Sequence, residues 1–325
     1  MTRHQHAPEE AGTSVRHLTV SGEDDGQRID NYLLRTLKGL PRTRLYRLLR
    51  KGEIRVNGGR IKPIYRLKCG DQVRLPPIHG LTGGGGSTSI PPGVLERLAA
   101  SVIHEDDALI VLDKPSGFAV HGGSGLAFGV IEALRCMRPG ERQLELVHRL
   151  DRETSGCLLV AKRRSTLRAL NTLVREGGLQ KRYSALLKGR LPRGATPVEA
   201  ALDPDRRSGG ERTVQVAVNG KRARSVFHRV GTYGEWSLAE VTIDTGRTHQ
   251  IRVHAAHIGH PLGGDTRYGD AEANRRLRDA GLRRMFLHAG SVAFDDPASG
   301  RLRCFSAPLP ADLQDVLSKL AGDGT

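Results

Sequence analysis

Three stretches of the 325-residue chain concentrate polar groups that a protein core does not need. In LVHRLDRETSGCLLVAK (146–162), His148 and Arg149 flank Asp151, and Thr-Ser-Gly follows before an apolar run, which puts a carboxylate at a loop-to-strand junction. Alone, such an Asp reads as a turn cap. In DTGRTHQIRVHAAHIGHPLGGDTRYG (244–269), the pattern predicts Thr248 as the cap of a helix from His249 to Ile258, stopped by Gly259 and Pro261. Arg252 on that helix is a candidate ion-pair partner that would favour an ionised carboxylate. In LDKPSGFAVHGG (112–123), an apolar strand runs into a Pro- and Gly-rich turn of the kind that lets backbone approach a substrate. A carboxylate beside an arginine can serve as nucleophile or base. A metal site is the competing chemistry, because His249, His254, His257 and His260 lie within twelve residues. No acidic residue interleaves as in HExxH, and His260 precedes a proline, so a metal is not expected.

The elements that must position these groups are strands at 108–112, 156–161 and 237–243 and a helix at 164–176, short apolar runs alternating with helical ones. They imply an α+β domain over 94–325, with Arg-rich loops at 202–212 and 271–284 shaping a groove. Ahead of it, PIHGLTGGGGSTSIPPG reads as a linker, residues 77–93. Residues 1–17 read as a disordered tail, and 18–76 as a small basic domain. There, Ile29, Tyr32, Leu33 and Leu37, then Leu45, Leu48 and Leu49, recur at helical spacing on either side of Pro41, and Asn57-Gly58 is a hairpin turn between two short strands. Between Arg28 and Arg74 fourteen Lys or Arg face three acidic residues, so these 47 residues hold +11 of the net +16. Arg42, Arg44, Arg47, Arg50, Lys51, Arg55, Arg60 and Lys62 are the expected phosphate contacts.

That charge points to a polyanion, nucleic acid or an anionic membrane surface. The apolar runs are far short of the roughly 20 residues a bilayer needs. No secretory signal opens the chain. Cys69, Cys136, Cys157 and Cys304 form no CxxC pair, which fits a reducing cytoplasm.

The order helix, helix, KGEIRVNGGRIK, GDQVRLP (28–76) resembles the S4 RNA-binding domain. LDKPSGFAVHGG, HRLDRETSG, KRYSALLKG (181–189) and TGRTHQIRVHAAHIGHPLGGDTRYG, in that order over about 101–308, are similar to the motifs of the pseudouridine synthases of the RluA/RluC/RluD family. The N-terminal half is most similar to the RluC branch, which implies large-subunit (23S) ribosomal RNA as partner. The resemblance implies an intramolecular transferase, an isomerase without cofactor, with a central mixed or antiparallel sheet flanked by helices; a monomer is the default expectation. It implies Asp151 as catalytic carboxylate, Tyr183 as the tyrosine beside the base, Arg252 as ion-pair partner of Asp151, and Arg149 in displacing the target base. His148, Lys114, His121, Arg247 and His249 are further expected substrate contacts. A passive RNA-binding protein, the remaining alternative, would leave the C-terminal motifs unexplained.

Overall fold

The computed structural model describes residues 14–37, 40–78, 90–122, 128–141, 143–208 and 211–322. Tail residues 1–13, the Gly/Ser centre of the expected linker at 79–89, and Gly123 lie outside them, as does the side chain of Arg42. The chain divides into two compact units, Met1–Ile90 and Pro91–Thr325.

The first unit runs β1 (Arg16–Thr19), α1 (Ile29–Thr36), α2 (Arg42–Lys51), β2 (Arg55–Val56), β3 (Gly59–Arg60), β4 (Gln72–Leu75). Ile29 and Leu33 of α1 meet Leu45 and Leu49 of α2 in one core with Ile54, Val73 and Leu75, which is why the helical spacing of these residues was informative. Pro41 caps the start of α2, and Gly52, left-handed, ends it. Asn57 and Gly58 both carry positive φ, 49° and 78°, as a two-residue hairpin turn requires. The sheet order is β1-β4-β2-β3, antiparallel throughout. Two boundaries differ from expectation. Arg16 and His17, assigned to the tail, pair with Leu75 and Arg74, partners too distant in sequence for a local pattern to announce. Ile78, assigned to the linker, is buried in this unit's core.

The second unit contains α3 (Pro92–Ala100), β5 (Val102–Glu105), β6 (Leu109–Lys114), α4 (Val130–Met137), β7 (Glu145–Leu146), β8 (Ser155–Ala161), α5 (Arg164–Glu176), β9 (Gln180–Lys188), β10 (Ala195–Glu199), β11 (Leu202–Ser208) and β12 (Glu211–Val216). It continues with β13 (Arg224–Tyr233), β14 (Trp236–Ile243), α6 (Gln250–His257), α7 (Ala271–Asp279), β15 (Leu287–Asp295), β16 (Leu302–Ser306) and α8 (Ala311–Gly322). Helix α3 starts within the expected linker because Pro92 suits a first helical turn, where no N–H is needed. The main sheet is ordered β10-β13-β14-β9-β15-β8-β6-β5, with β16 added to β15 and β7 to β8. Its pairs are antiparallel except β15 with β8. Helix α5 lays Leu170 against Leu159, Ala161 and Phe294, while α7 and α8 bring Leu277, Leu313 and Val316 onto Leu186, Trp236 and Phe286. All seven residues of β8 are buried. Gly156 within it has φ 107°, and a Cβ there would collide with the Ala289 carbonyl of β15; only glycine lets the two strands close.

Both segments expected as loops are ordered elements. The stretch from Leu202 forms the two-stranded hairpin β11–β12, in which Leu202 and Val214 are buried with Ala223 and with Val253 of α6. The Ala271 segment is α7, capped by the Asp270 side chain on Ala273 N and buried through Ala273 and Leu277. In each, arginines at the intervening positions disguise a short buried stripe.

Candidate active site

Asp151 sits in the loop entering β8, its turn closed by Thr154 N donating to Asp151 O at 3.2 Å. That loop is stapled to the turn after β6. Ser116 Oγ donates to Glu153 O (2.7 Å), Gly117 N to Arg152 O (2.9 Å) and Arg152 Nε to Gly117 O (3.0 Å). Lys114 completes the staple from beneath: its ammonium donates to the carbonyls of Pro115, Phe118 and Arg152 at 3.0, 2.9 and 3.2 Å. The side chain is fully buried, and burial pulls its pKa down to about 7. Lys114, expected to contact substrate, is therefore a brace between two backbone turns, its three donors already taken.

On α6, Arg252 donates NH1 to Asp151 Oδ2 at 3.3 Å, as expected, but its closer partner is Asp265. Nε and NH2 reach the two oxygens of Asp265 at 2.7 and 2.9 Å in a fork-to-fork pair. Asp265 is buried, which works against its charge, yet Arg252 and the backbone N–H groups of Arg267 and Tyr268 hold its pKa below the usual carboxylate range. Burial likewise opposes the Arg252 charge, and the two carboxylates keep it raised. The helix start differs from expectation: Thr248 does not cap it. His249 occupies the cap position with φ 55°, and the Gln250 side chain organises the turn, accepting from Thr245 Oγ1 (2.7 Å) and Arg247 N (3.1 Å) and donating to Arg224 O (2.8 Å). Asp265 and Tyr268 went unassigned in the sequence, although GGDTRYG offered a signal, a Gly-Gly pair ahead of an acidic residue.

Tyr183, on β9 opposite Val241 of β14, is buried. Burial and then the Asp151 charge push its pKa up, so at neutral pH it is a phenol. Two residues earlier on the same face, Lys181 is buried and its pKa lowered. His148 Nε2 accepts from the Leu159 N–H of β8 at 3.2 Å, standing in for a strand partner beyond β7. Burial, then Lys181, lower its pKa to about 3, which keeps the ring neutral. Of the expected substrate contacts, Arg149, His121 and Arg247 are exposed and His249 is half-buried with Nε2 4.0 Å from Asp151 Oδ2; His148, with that nitrogen committed to the ladder, serves the sheet. His254 is buried, with nitrogens at 2.9 Å from Ser225 Oγ and 3.0 Å from Ala200 O, and His260 meets Lys188 O at 2.8 Å. Among the described residues no cluster of three His, Cys, Asp or Glu is arranged to hold a metal, and no helix is long and apolar enough to cross a membrane.

In the first unit, Arg47, Arg50, Lys51, Arg55, Arg60 and Lys62 are exposed along α2 and the β2–β3 hairpin, and Arg44 is half-buried.

A mixed sheet carrying an aspartate loop, a buried tyrosine and an arginine shared between two carboxylates matches the family described as RNA pseudouridylate synthase over residues 108–257, and residues 27–73 match the S4 domain. The chain belongs to the RNA pseudouridylate synthase family, and is an isomerase. It is 47% identical over 308 residues to "Ribosomal large subunit pseudouridine synthase C" of Haemophilus influenzae, covering 95% of this chain and 96% of the relative. It is 48% identical over 309 residues to the protein so named in Escherichia coli K12, covering 94% and 97%. Among solved structures, "Human RNA Pseudouridylate Synthase Domain Containing 1" superposes with TM-score 0.56 at 26% identity, covering 70% of this chain and 90% of that one.

Proposed function

We propose that this enzyme isomerises uridines of large-subunit (23S) ribosomal RNA to pseudouridine in the cytoplasm, as a monomer, with Asp151 as catalytic carboxylate. The observation that carries the reading is the Arg252 guanidinium, fixed by Asp265 through Nε and NH2 and turning its third nitrogen, NH1, to Asp151 beside the buried Tyr183. The relatives' alignment along nearly the whole chain supports the choice of RNA.

In the reaction the N1–C1′ bond breaks, the uracil turns, C5 bonds to C1′, and the proton lost from C5 is balanced by one gained at N1; nothing else enters or leaves. An Asp151 oxygen either bonds to C1′, displacing uracil, or takes the C2′ proton, and both routes need a carboxylate held in place and unprotonated. Arg252 supplies the holding. Tyr183, a phenol at neutral pH, hands a C5 proton onward through its hydroxyl rather than as a phenolate. Extracting the uridine from its helix costs a few kcal/mol; Arg149, exposed beside the loop, occupies the space the base leaves, and the basic face of the first unit supplies binding energy.

The test is tritium release from RNA labelled at uridine C5. Release from large-subunit RNA by the wild type and none from Asp151→Asn is expected. Equal release by both removes Asp151 from the chemistry. RNA binding without any release by the wild type would leave a passive RNA-binding protein.

A further inference from the structure

A line of polar contacts joins the β11–β12 hairpin to Asp151 through two side chains, Tyr268 and His249. The backbone N–H of Val214 on β12 donates to the Tyr268 hydroxyl at 2.9 Å, and that hydroxyl lies 2.9 Å from His249 Nδ1. The other imidazole nitrogen, Nε2, is 4.0 Å from Asp151 Oδ2. The Tyr268 ring stands edge-on to the imidazole, centroids 5.6 Å apart, and the Arg252 guanidinium carbon lies 5.0 Å from its centre. Its backbone N–H donates to Asp265 Oδ1 at 3.1 Å. Tyr268 thus touches both side chains that approach Asp151, His249 and Arg252, and the Asp265 that holds Arg252.

Proton directions follow from donor counting. The hydroxyl oxygen accepts from Val214, and among the described residues its single hydrogen meets the acceptor His249 Nδ1. The reverse tautomer, Nδ1–H to the tyrosine oxygen, would aim the Nε2 lone pair at the Asp151 carboxylate, an arrangement that like charge disfavours. The ring therefore presents Nε2–H to Asp151. Burial lowers the His249 pKa, with Arg252 and Arg149 acting in the same sense and Asp151 and Asp265 against it; the net is a neutral ring. The backbone adds a second observation. His249 is one of two non-glycine residues with positive φ among those described, and the other, Asn57, sits in a hairpin turn where that conformation is routine. An imidazole kept at φ 55° at a helix start, where glycine or asparagine would fit more easily, marks a side chain needed for what it does.

The described apolar contacts between the hairpin and α6 are few: Leu202 and Val214 pack with Ala223 and Val253, and Val216 and Tyr268 lie against them. We propose that Tyr268 and His249 are positioning residues for the isomerisation: Val214 of β12 fixes the Tyr268 hydroxyl, and His249 is thereby locked with Nε2–H toward Asp151. This rests on the reading of Asp151 as the catalytic carboxylate, and it ties the orientation of that carboxylate to the seating of β12.

The tautomer is measurable without any turnover. In the full chain labelled with ¹⁵N-histidine, the His249 signal, assigned by its loss in His249→Asn, is expected to be the neutral Nε2–H form at pH 7, becoming a mixture in Tyr268→Phe. A wild-type Nδ1–H or charged ring overturns the proposal. Tyr268→Phe keeps the ring over Arg252 and removes only the hydroxyl. On RNA it should lower kcat by about 10- to 100-fold, the scale of a small misplacement of a reacting group, with KM nearly unchanged. The acid limb of its kcat profile should move to higher pH, because Nδ1 freed from the hydroxyl takes up a proton more easily. An unmoved limb with unchanged kcat overturns the relay. His249→Asn tolerates the left-handed backbone and so guards against simple misfolding; adding Tyr268→Phe to it should cost nothing more, whereas additive losses would show two independent roles. Wild-type tritium release and its loss in Asp151→Asn decide the parent reading separately.

Discussion

The two units use arginine in opposite ways. In the first, Arg47, Arg50, Arg55 and Arg60 stand in solvent on α2 and the β2–β3 hairpin, where water and salt screen each charge and effect accumulates with number. In the second, Arg252 has 10% of its side chain exposed and is clamped by Asp265 and Asp151, so one guanidinium acts through its direction. Affinity can be spread over many exposed charges, but a reacting carboxylate needs one buried charge whose position is overdetermined.

The largest break in that contrast is Asp151→Asn. It should cut tritium release by about 10⁴-fold, the scale of losing an essential acid–base or nucleophilic group, while leaving RNA affinity and its salt dependence intact in a filter-binding titration. Parallel loss of binding would mean that the charge of Asp151, not its chemistry, matters. Next comes Asp265→Asn, which strips the buried guanidinium of its better partner. The expected cost is about 3–5 kcal/mol, a fall in Tm of roughly 10 °C for a unit of this size, together with reduced kcat. A Tm within a degree of wild type would show that Asp151 alone suffices to hold Arg252.

Lys114 sharpens the contrast through pH. Its pKa is 10.5 when unfolded and about 7 when folded, so between those values unfolding takes up a proton and stability rises with pH. Wild type should gain on Lys114→Met by up to about 1.4 kcal/mol per pH unit between pH 7 and 9, read from urea midpoints. Parallel curves would mean the brace keeps its charge throughout. The smallest effect is reserved for the exposed charges. Replacing Arg47, Arg50 and Lys51 together by Gln should flatten the log–log salt slope of RNA binding by roughly two units, at about 0.7 to 0.9 per phosphate contact, with kcat at saturating RNA unchanged. An unaltered slope would move the anchor off α2.

Patterns that depend on near neighbours were legible in the sequence. The helix at 164–176, the buried strand ending at Ala161 and the Asn57-Gly58 turn needed only spacing and turn chemistry. Arg252 as the partner of Asp151 was legible through the resemblance of the motifs, and its guanidinium lies 3.3 Å from that carboxylate. Features set by distant partners were not. Strand β1 exists because β4 is there to receive it; Lys114 is a brace because the Asp151 loop returns over it; Asp265 outcompetes Asp151 for Arg252 because the turn after α6 folds back. The Thr248 cap failed for a different reason: a long polar side chain, Gln250, met the turn's needs from inside the helix.

The order β9-β15-β8 has a consequence for synthesis. The strand in the middle of the sheet against whose Ala289 Gly156 of β8, just past the aspartate loop, must close ends at Asp295 of a 325-residue chain. Its pairing with β8 spans 133 residues, as His288 and Ser155 also do in their side-chain contact at 2.9 Å. A nascent chain therefore holds every residue of HRLDRETSG long before it holds the wall that shapes them. The aspartate loop therefore takes its final shape only after β15, made 133 residues later, has paired with β8.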